Sequence, residues 1–194
     1  REALPPRVAE DIVKMVQENH PDAGLVVELD GYNFGTNVVR TPEDLWEINS
    51  ATPNMVMSLS EALKRAPTKI AVNGNGQELS TLNAVIKERF GNSVSVVAVD
   101  GDTFLNIVSI KASKERTVQR LLEPNGLSLL DVLAFGNDAA DVGLLAACGI
   151  SVAVANATGE AKGIAKYLTA TNDDDGVAIV LERLLEEARK KPPI

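Results

Sequence analysis

The stretch from Leu133 to Ala157, LAFGNDAADVGLLAACGISVAVANA, admits few folds. Apolar Val132 to Phe135 reads as a short strand, and Gly136, Asn137 and Asp138 as a turn. The run to Cys148 reads as a helix, stopped by Gly149 before a second apolar run, Ile150 to Val154. Strand, helix and strand joined by short turns make one unit of a parallel α/β sheet. Such sheets bind ligands where strand carboxyl ends meet helix starts, which puts Asn137, Asp138 and Asp141 at the functional edge. Acidic oxygens clustered there suit a hard cation such as Mg²⁺, which takes one or two carboxylates and keeps several waters. The same Asp138 and Asp141 also satisfy the pattern of a capped helix start, where carboxylates favour the positive end of the dipole. Spacing leaves both readings open.

More of the chain from Leu105 to Ala178 follows a recognisable order. Leu105 to Ile107 reads as a strand, and Ser113 and Lys114 follow it. GNDAAD then spans Gly136 to Asp141, with Leu144, Leu145 and Gly149 behind it. Asn156 and Ala157 form a turn, Ala161 to Thr169 a small-residue segment, and NDDDGVA runs from Asn172 to Ala178. In this order, almost without gaps, these residues are similar to the C-terminal part of the haloacid dehalogenase (HAD) superfamily phosphatases of the Cof-like type, which carry a large cap domain. The family's common loop is GDxxND, so Asn137 stands where that pattern has aspartate and Ala140 where it has asparagine, while Asp141 is kept. Members that read GNDxND would make Asp138 the first acid, and the choice between Asn137 and Asp138 stays open. The glycines that flank the family's motif lysine are Lys111 and Glu115 here.

The resemblance implies an α/β fold: the C-terminal half of a HAD-like, Rossmann-type parallel core in residues 109–194, behind an α+β cap in residues 1–108. It implies Mg²⁺-dependent hydrolysis of a small phosphate monoester through an aspartyl-phosphate, with a second aspartate as general acid. Phosphoglycolate, sugar phosphates and nucleotide or cofactor phosphates all fit that class. Asp141 with Asp138 or Asn137 would hold the metal, Lys114 would contact the phosphoryl group, and Asn172 would bind substrate. The family's opening segment, with its nucleophile, has no counterpart in the chain. The expected partners are therefore a small phosphorylated metabolite and a missing N-terminal core segment, on the same or a separate chain. Alone the chain is expected to be inactive, with Val132 to Phe135 as an unpaired apolar edge. The alternative is a non-catalytic HAD-like binding or regulatory module with a degraded metal loop.

Lys114 also has a reading of its own. Ser113 is placed to cap a helix, which puts Lys114 in the first turn, where a cation opposes the dipole by ~0.3 to 1 kcal/mol. An anion bound there would relieve that. The plainer reading is a solvated lysine among Lys111, Lys114, Arg116 and Arg120, and the resemblance turns the choice to Lys114, with Lys111 as fallback. ELDGY at Glu28 to Tyr32 resembles the family's DxDGT nucleophile string, but Glu28 and Tyr32 replace its first aspartate and its threonine, and no long helix follows. Val99 to Thr103 reads better as a hairpin turn.

Composition limits the partners. Nineteen basic against 27 acidic residues give a net charge of −8, which argues against nucleic acid and against an anionic membrane surface. Any phosphate must be captured locally. The one cysteine, Cys148, excludes an internal disulfide and reads as packing inside an apolar helix. No apolar run approaches about 20 residues and no signal-peptide pattern opens the chain, so the expectation is a cytoplasmic protein.

The first half reads as helices alternating with hairpin strands. A helix covers Pro6 to Asn19, with Val8, Ile12, Val13, Met15 and Val16 inward, and His20 reads as its solvated end. Strands follow at Ala23 to Leu29, near Tyr32 to Val39, at Lys69 to Val72, and as the pair Val94 to Val99 and Phe104 to Val108. Helices are expected at Thr41 to Ile48, Ser58 to Arg65 and Glu78 to Phe90. The tail from Asp175 to Lys191 reads as an amphipathic helix with Val177, Ile179, Val180, Leu181, Leu184 and Leu185 as its packed side. Asn172 to Asp175 before it either cap that helix or line the site.

Overall fold

Alternating burial along the strands of the first half builds one sheet with two different faces. In the computed structural model, which describes residues 1–38, 51–99 and 103–190, the chain divides into two units, Arg1–Ala112 and Ser113–Ile194. The first unit starts with α1 (Pro6–Asn19), whose buried Ala9, Ile12, Val13, Met15 and Val16 recur at helical spacing. Pro6 occupies its first position and His20 N–H closes it on Val16 O. Strands β1 (Gly24–Glu28), β2 (Phe34–Thr36), β3 (Val56–Met57), β4 (Lys69–Asn73), β5 (Val94–Val99) and β6 (Phe104–Ser109) form a six-stranded sheet in the order β3-β2-β1-β4-β6-β5. Its pairs are antiparallel except β2 with β3.

Leu25, Val27, Ile70, Val72, Leu105 and Ile107 share one face and are fully buried in a core with α1, α2 (Leu59–Leu63) and α3 (Gly76–Phe90). Ser58 starts α2 with a capping box, its side chain receiving Glu61 N–H while Glu61 receives the Ser58 amide. Asn75 caps α3 through Gln77 N–H, so that helix begins two residues earlier than its apolar pattern suggests. The second strand is shorter than expected. The expected helix over residues 41–48 and the turn residues 100–102 lie outside the described residues.

The second unit holds α4 (Lys114–Leu122), β7 (Leu133–Gly136), α5 (Val142–Ala147), β8 (Ile150–Ala153), α6 (Gly159–Ile164), β9 (Tyr167–Leu168) and α7 (Gly176–Lys190). The strands form a parallel sheet in the order β7-β8-β9. Ala134, Leu145, Cys148, Ala153, Val154, Ala157 and Ala161 make its small core. Among the described residues β7 pairs only with β8 in this sheet. The strand, turn, helix, strand order of residues 133–157 appears as the sequence implies.

Two expectations are corrected. The apolar side of α7 is packed only in part: Ile179 and Val180 are half-buried, whereas Val177, Leu181, Leu184 and Leu185 are exposed, Leu185 at 58%, and Gly176 is the one buried residue of that helix. Amphipathicity specifies a face to be covered but not the surface that covers it, and the core of this unit draws nothing from α7. His20 is not a solvated end either. Its side chain is only 19% exposed, with Nδ1 3.9 Å from Glu78 Oε2 on α3.

Candidate active site

The carboxyl end of β7 is where the second unit gathers polar side chains. Gly136 closes the strand, and a Cβ there would lie 2.7 Å from Asp141 Cβ and 2.9 Å from Leu145 Cδ1, so glycine lets the following turn fold back over the strand end. Asp138 caps that turn with Oδ1 on Ala139 N–H at 2.6 Å. Asp141 Oδ2 reaches back to accept the amides of Asn137 at 2.9 Å and Asp138 at 3.2 Å. The capping reading of Asp138 and Asp141 is therefore realised as a capping box.

Capping leaves the other carboxylate oxygen of Asp141 available, and Lys114 takes it. Ser113 caps α4 through Arg116 N–H, which sets Lys114 at the first helical position as the sequence implies. From there its Nζ donates to Asp141 Oδ1, closing an ion pair between residues 27 apart in sequence. The pair is asymmetric: the Asp141 side chain is 9% exposed and that of Lys114 53%. Burial pushes the Asp141 carboxyl up, but the Lys114 ammonium and the two backbone amides outweigh it and hold the group below its ordinary 3.8. Asp141 is thus a fixed carboxylate whose cation still faces water.

Around this pair lies a cleft of about 470 Å³ lined by Lys114, Phe135, Gly136, Asn137, Asp141, Val154, Asn172 and Val177. Asn172 is positioned by Asn156: the Asn156 Nδ2 group donates to Asn172 Oδ1, and Asn156 Oδ1 receives the Asn172 amide at 3.4 Å. Asp174 turns instead to Thr171, whose hydroxyl donates to it at 2.6 Å. Of the acidic run before α7, Asn172 enters the cleft and Asp174 closes a turn. A Cβ on Gly176 would lie 2.1 Å from Ala170 O, which explains glycine at the start of α7.

The structure thus brings Lys114, Asn137, Asp141 and Asn172 to one cleft, with Asp138 in its loop. Lys111 belongs to the first unit and is not among the cleft residues. Sequence reasoning missed Phe135, Val154 and Val177 as walls and gave no task to Asn156. The NA turn was the signal for Asn156, and only its hydrogen bonds reveal its use. Cys148 is buried and its thiol is pushed up by that burial, in keeping with a packing role.

The donor set bears on a cation. Among the described residues no group of three His, Cys, Asp or Glu side chains could hold a metal. Both Asp141 oxygens and one Asp138 oxygen already accept hydrogen bonds. What the loop offers is part of a shell, which suits Mg²⁺, a cation that binds through one or two carboxylates, waters and substrate. The same set would be poor for a metal that needs a complete protein cage.

The chain matches the family profile of haloacid dehalogenase-like hydrolases over residues 1–181. It is 32% identical over 162 residues to a putative phosphatase of Haemophilus influenzae, covering 81% of this chain and 61% of that protein. It is 33% identical over 102 residues to a phosphoglycolate phosphatase of Methanopyrus kandleri, covering 53% of this chain and 44% of that one. The fold is similar to the crystal structure of a haloacid dehalogenase-like hydrolase from Bacteroides thetaiotaomicron, with a TM-score of 0.74 at 24% identity, over 95% of this chain and 68% of that chain. It is also similar to a HAD subclass IIB sugar phosphatase, with a TM-score of 0.73 at 16% identity, over 95% and 68% of the two chains. The chain spans less than two thirds of the length of these two sequence relatives. Among the described residues no helix is long and apolar enough to cross a membrane.

Proposed function

Because the chain belongs to the haloacid dehalogenase-like hydrolase family, in its Cof-like branch, we propose that it forms the cap and the second half of the core of a Mg²⁺-dependent phosphatase acting on small phosphate monoesters. In this reading the first unit is the substrate-selecting cap and the second is the core half. The observation that carries it is the Lys114 to Asp141 pair, assembled across 27 residues in a cleft that also holds Asn137 and Asn172. An ammonium on a side chain more than half exposed, held by a buried carboxylate, is an anchored positive charge with room for an anion. The relatives named as phosphatases support the reaction class.

Each residue then has a task. The exposed face of the Lys114 ammonium neutralises phosphate charge, and Asp141 keeps that ammonium in place instead of letting it drift in solvent. The Asn172 amide, braced by Asn156, binds the substrate. Asp141 with Asp138 or Asn137 would hold Mg²⁺, directly or through water. When bound, the metal supplies further neutralisation of charge on the transferring phosphoryl oxygens. The attacking aspartate and the general acid come from a segment that precedes these residues, on the same or a separate chain, and its strand would pair with the edge of β7 that has no partner among the described residues. Substrates are phosphoglycolate, a sugar phosphate, or a nucleotide or cofactor phosphate.

The test is Mg²⁺-dependent phosphate release from a panel of phosphate monoesters, by the chain together with the upstream coding sequence. Turnover is expected, with Lys114→Met lowering kcat and raising KM together, because a preorganised cation acts on ground and transition states alike. Normal kinetics in that variant, beside a damaging Lys111→Met, would move the role to Lys111. No turnover by the complete protein would leave the non-catalytic module as the better account.

A further inference from the structure

The start of α4 carries a second side chain that reaches α5. A Cβ built on Gly143 would lie 2.7 Å from Glu115 Oε2, 2.9 Å from its Cδ and 3.1 Å from its Oε1. The whole carboxyl group therefore lies over the face of Gly143 where any other residue would carry its side chain, and Gly143 stands second in α5. Glu115 is half-buried there. It is not among the residues that line the Lys114 cleft, and faces instead an open depression with Arg116, Gln119, Glu123 and Leu129. We propose that Glu115 is a positioning residue: seated on Gly143, it fixes the first turn of α4 against that of α5 and so keeps the Lys114 ammonium on Asp141. The contact stands by itself; its bearing on the reaction rests on the phosphate-binding role proposed above for Lys114.

The rest of α4 gives this contact its leverage. No residue of α4 is fully buried, so a deep apolar face does not set the rotation of the helix. Lys114 alone cannot set it either. Its long side chain is flexible and 53% exposed, and one ion pair tolerates many placements of the helix that carries it. Neighbouring residues on a helix project about 100° apart, so Lys114 and Glu115 grip the start of α5 from two directions. The ammonium takes Asp141, just before α5, and the carboxylate takes Gly143. Two anchors fix a rotation that one leaves open.

Charge works in the same direction. Lys114 at a helix start opposes the dipole, and the carboxylate of Glu115 in the same turn offsets it. Reach separates the two effects: aspartate keeps the charge but is one methylene short of Gly143, whereas glutamine keeps the length without the charge. Glycine, which flanks the motif lysine in the wider family, supplies neither. The clasp therefore belongs to this chain.

The experiment uses the full ¹⁵N-labelled chain and follows the Nζ resonance of Lys114, its order parameter and its proton exchange with water. Lys166 is the reference, because it is anchored elsewhere in the same unit, donating to the carbonyl oxygens of Cys148 at 3.2 Å and Gly149 at 2.7 Å. Glu115→Ala should speed exchange of the Lys114 ammonium about three- to tenfold, the change that goes with one weakened hydrogen bond, while Lys166 stays as it was. Glu115→Gln should keep the native exchange, and Glu115→Asp should behave like the alanine variant. Gly143→Ala, which suits a helix and displaces the carboxylate without altering it, should match Glu115→Ala, and the double variant should add nothing. In the complete enzyme Glu115→Ala should lower kcat/KM by a similar factor, with Glu115→Gln restoring it. A native ammonium in both Glu115→Ala and Gly143→Ala would overturn the proposal. So would loss in Glu115→Gln with retention in Glu115→Asp, which would reduce Glu115 to a charge at a helix start, or an unaltered kcat/KM beside a loosened ammonium. If the complete protein turns over no phosphate monoester, the phosphatase reading falls while the ammonium data still decide the clasp.

Discussion

Replacing Lys114 by Met tests how the site is held, separately from what it does. In the native chain Asp141 has three hydrogen-bond donors: the Lys114 ammonium and the amides of Asn137 and Asp138. Its folded pKa lies below the ordinary 3.8, so its contribution to stability is fully present above that value and is lost as pH falls through the folded one. Lys114→Met removes the ammonium and leaves a carboxylate with 9% side-chain exposure held by two amides alone. Losing a partner of a fully buried pair costs about 3 to 5 kcal/mol. Here the lysine is half in water and the amides remain, so we expect about 1 to 2 kcal/mol at neutral pH. The assay is the ¹³C shift of the Asp141 carboxyl followed from neutral to acid pH, with hydrogen exchange of the Asn137 and Asp138 amides. The titration midpoint should move up in the variant, and the faster exchange of those amides at neutral pH should disappear once Asp141 is protonated. An unchanged midpoint, or a stability loss that persists at low pH, would refute the view that this pair organises the loop.

Other outcomes follow from the same geometry. Asp141→Ala in the complete enzyme should abolish Mg²⁺-dependent turnover at a fold cost of about 1 kcal/mol, as a lost helix-start carboxylate; a matched Asp138→Ala and Asn137→Ala pair, assayed for Mg²⁺ dependence, will separate the two candidates for the second ligand. Gly136→Ala should destabilise the second unit by about 1 to 3 kcal/mol by overpacking against Asp141 and Leu145, read by denaturant unfolding of that unit. Leu185→Ser, at a 58% exposed position, should leave the stability of the isolated chain within about 0.5 kcal/mol. The purified chain alone should release no phosphate from any monoester and should associate through the edge of β7 that has no partner among the described residues, seen as a solution mass above 20.6 kDa; robust turnover by a monomer of that mass would redirect the search for a nucleophile to Glu28 and Asp30.

The sequence by itself determined the local elements, because each is specified by neighbours in the chain. Pro6 to Asn19 is a helix because its apolar residues recur with a helical period. Ser113 places Lys114 at a helix start because a hydroxyl satisfies an otherwise unpaired amide. Gly136 to Asp141 turns between strand and helix because a glycine and two acids allow it. Tertiary structure decided what those elements do together. The spacing of Asp138 and Asp141 left capping and metal binding open, and the fold shows that capping occupies one Asp141 oxygen while the other receives Lys114, 27 residues away. The apolar stripe of α7 announced a surface to be covered, and only the fold could show that the core of its own unit does not cover it. The ion pair of Glu28 with Lys69 was not legible at all, because it depends on antiparallel register across 41 positions of chain that no local pattern encodes. Periodicity and capping act within a few residues, whereas ion pairs and clefts form between residues that only folding brings together.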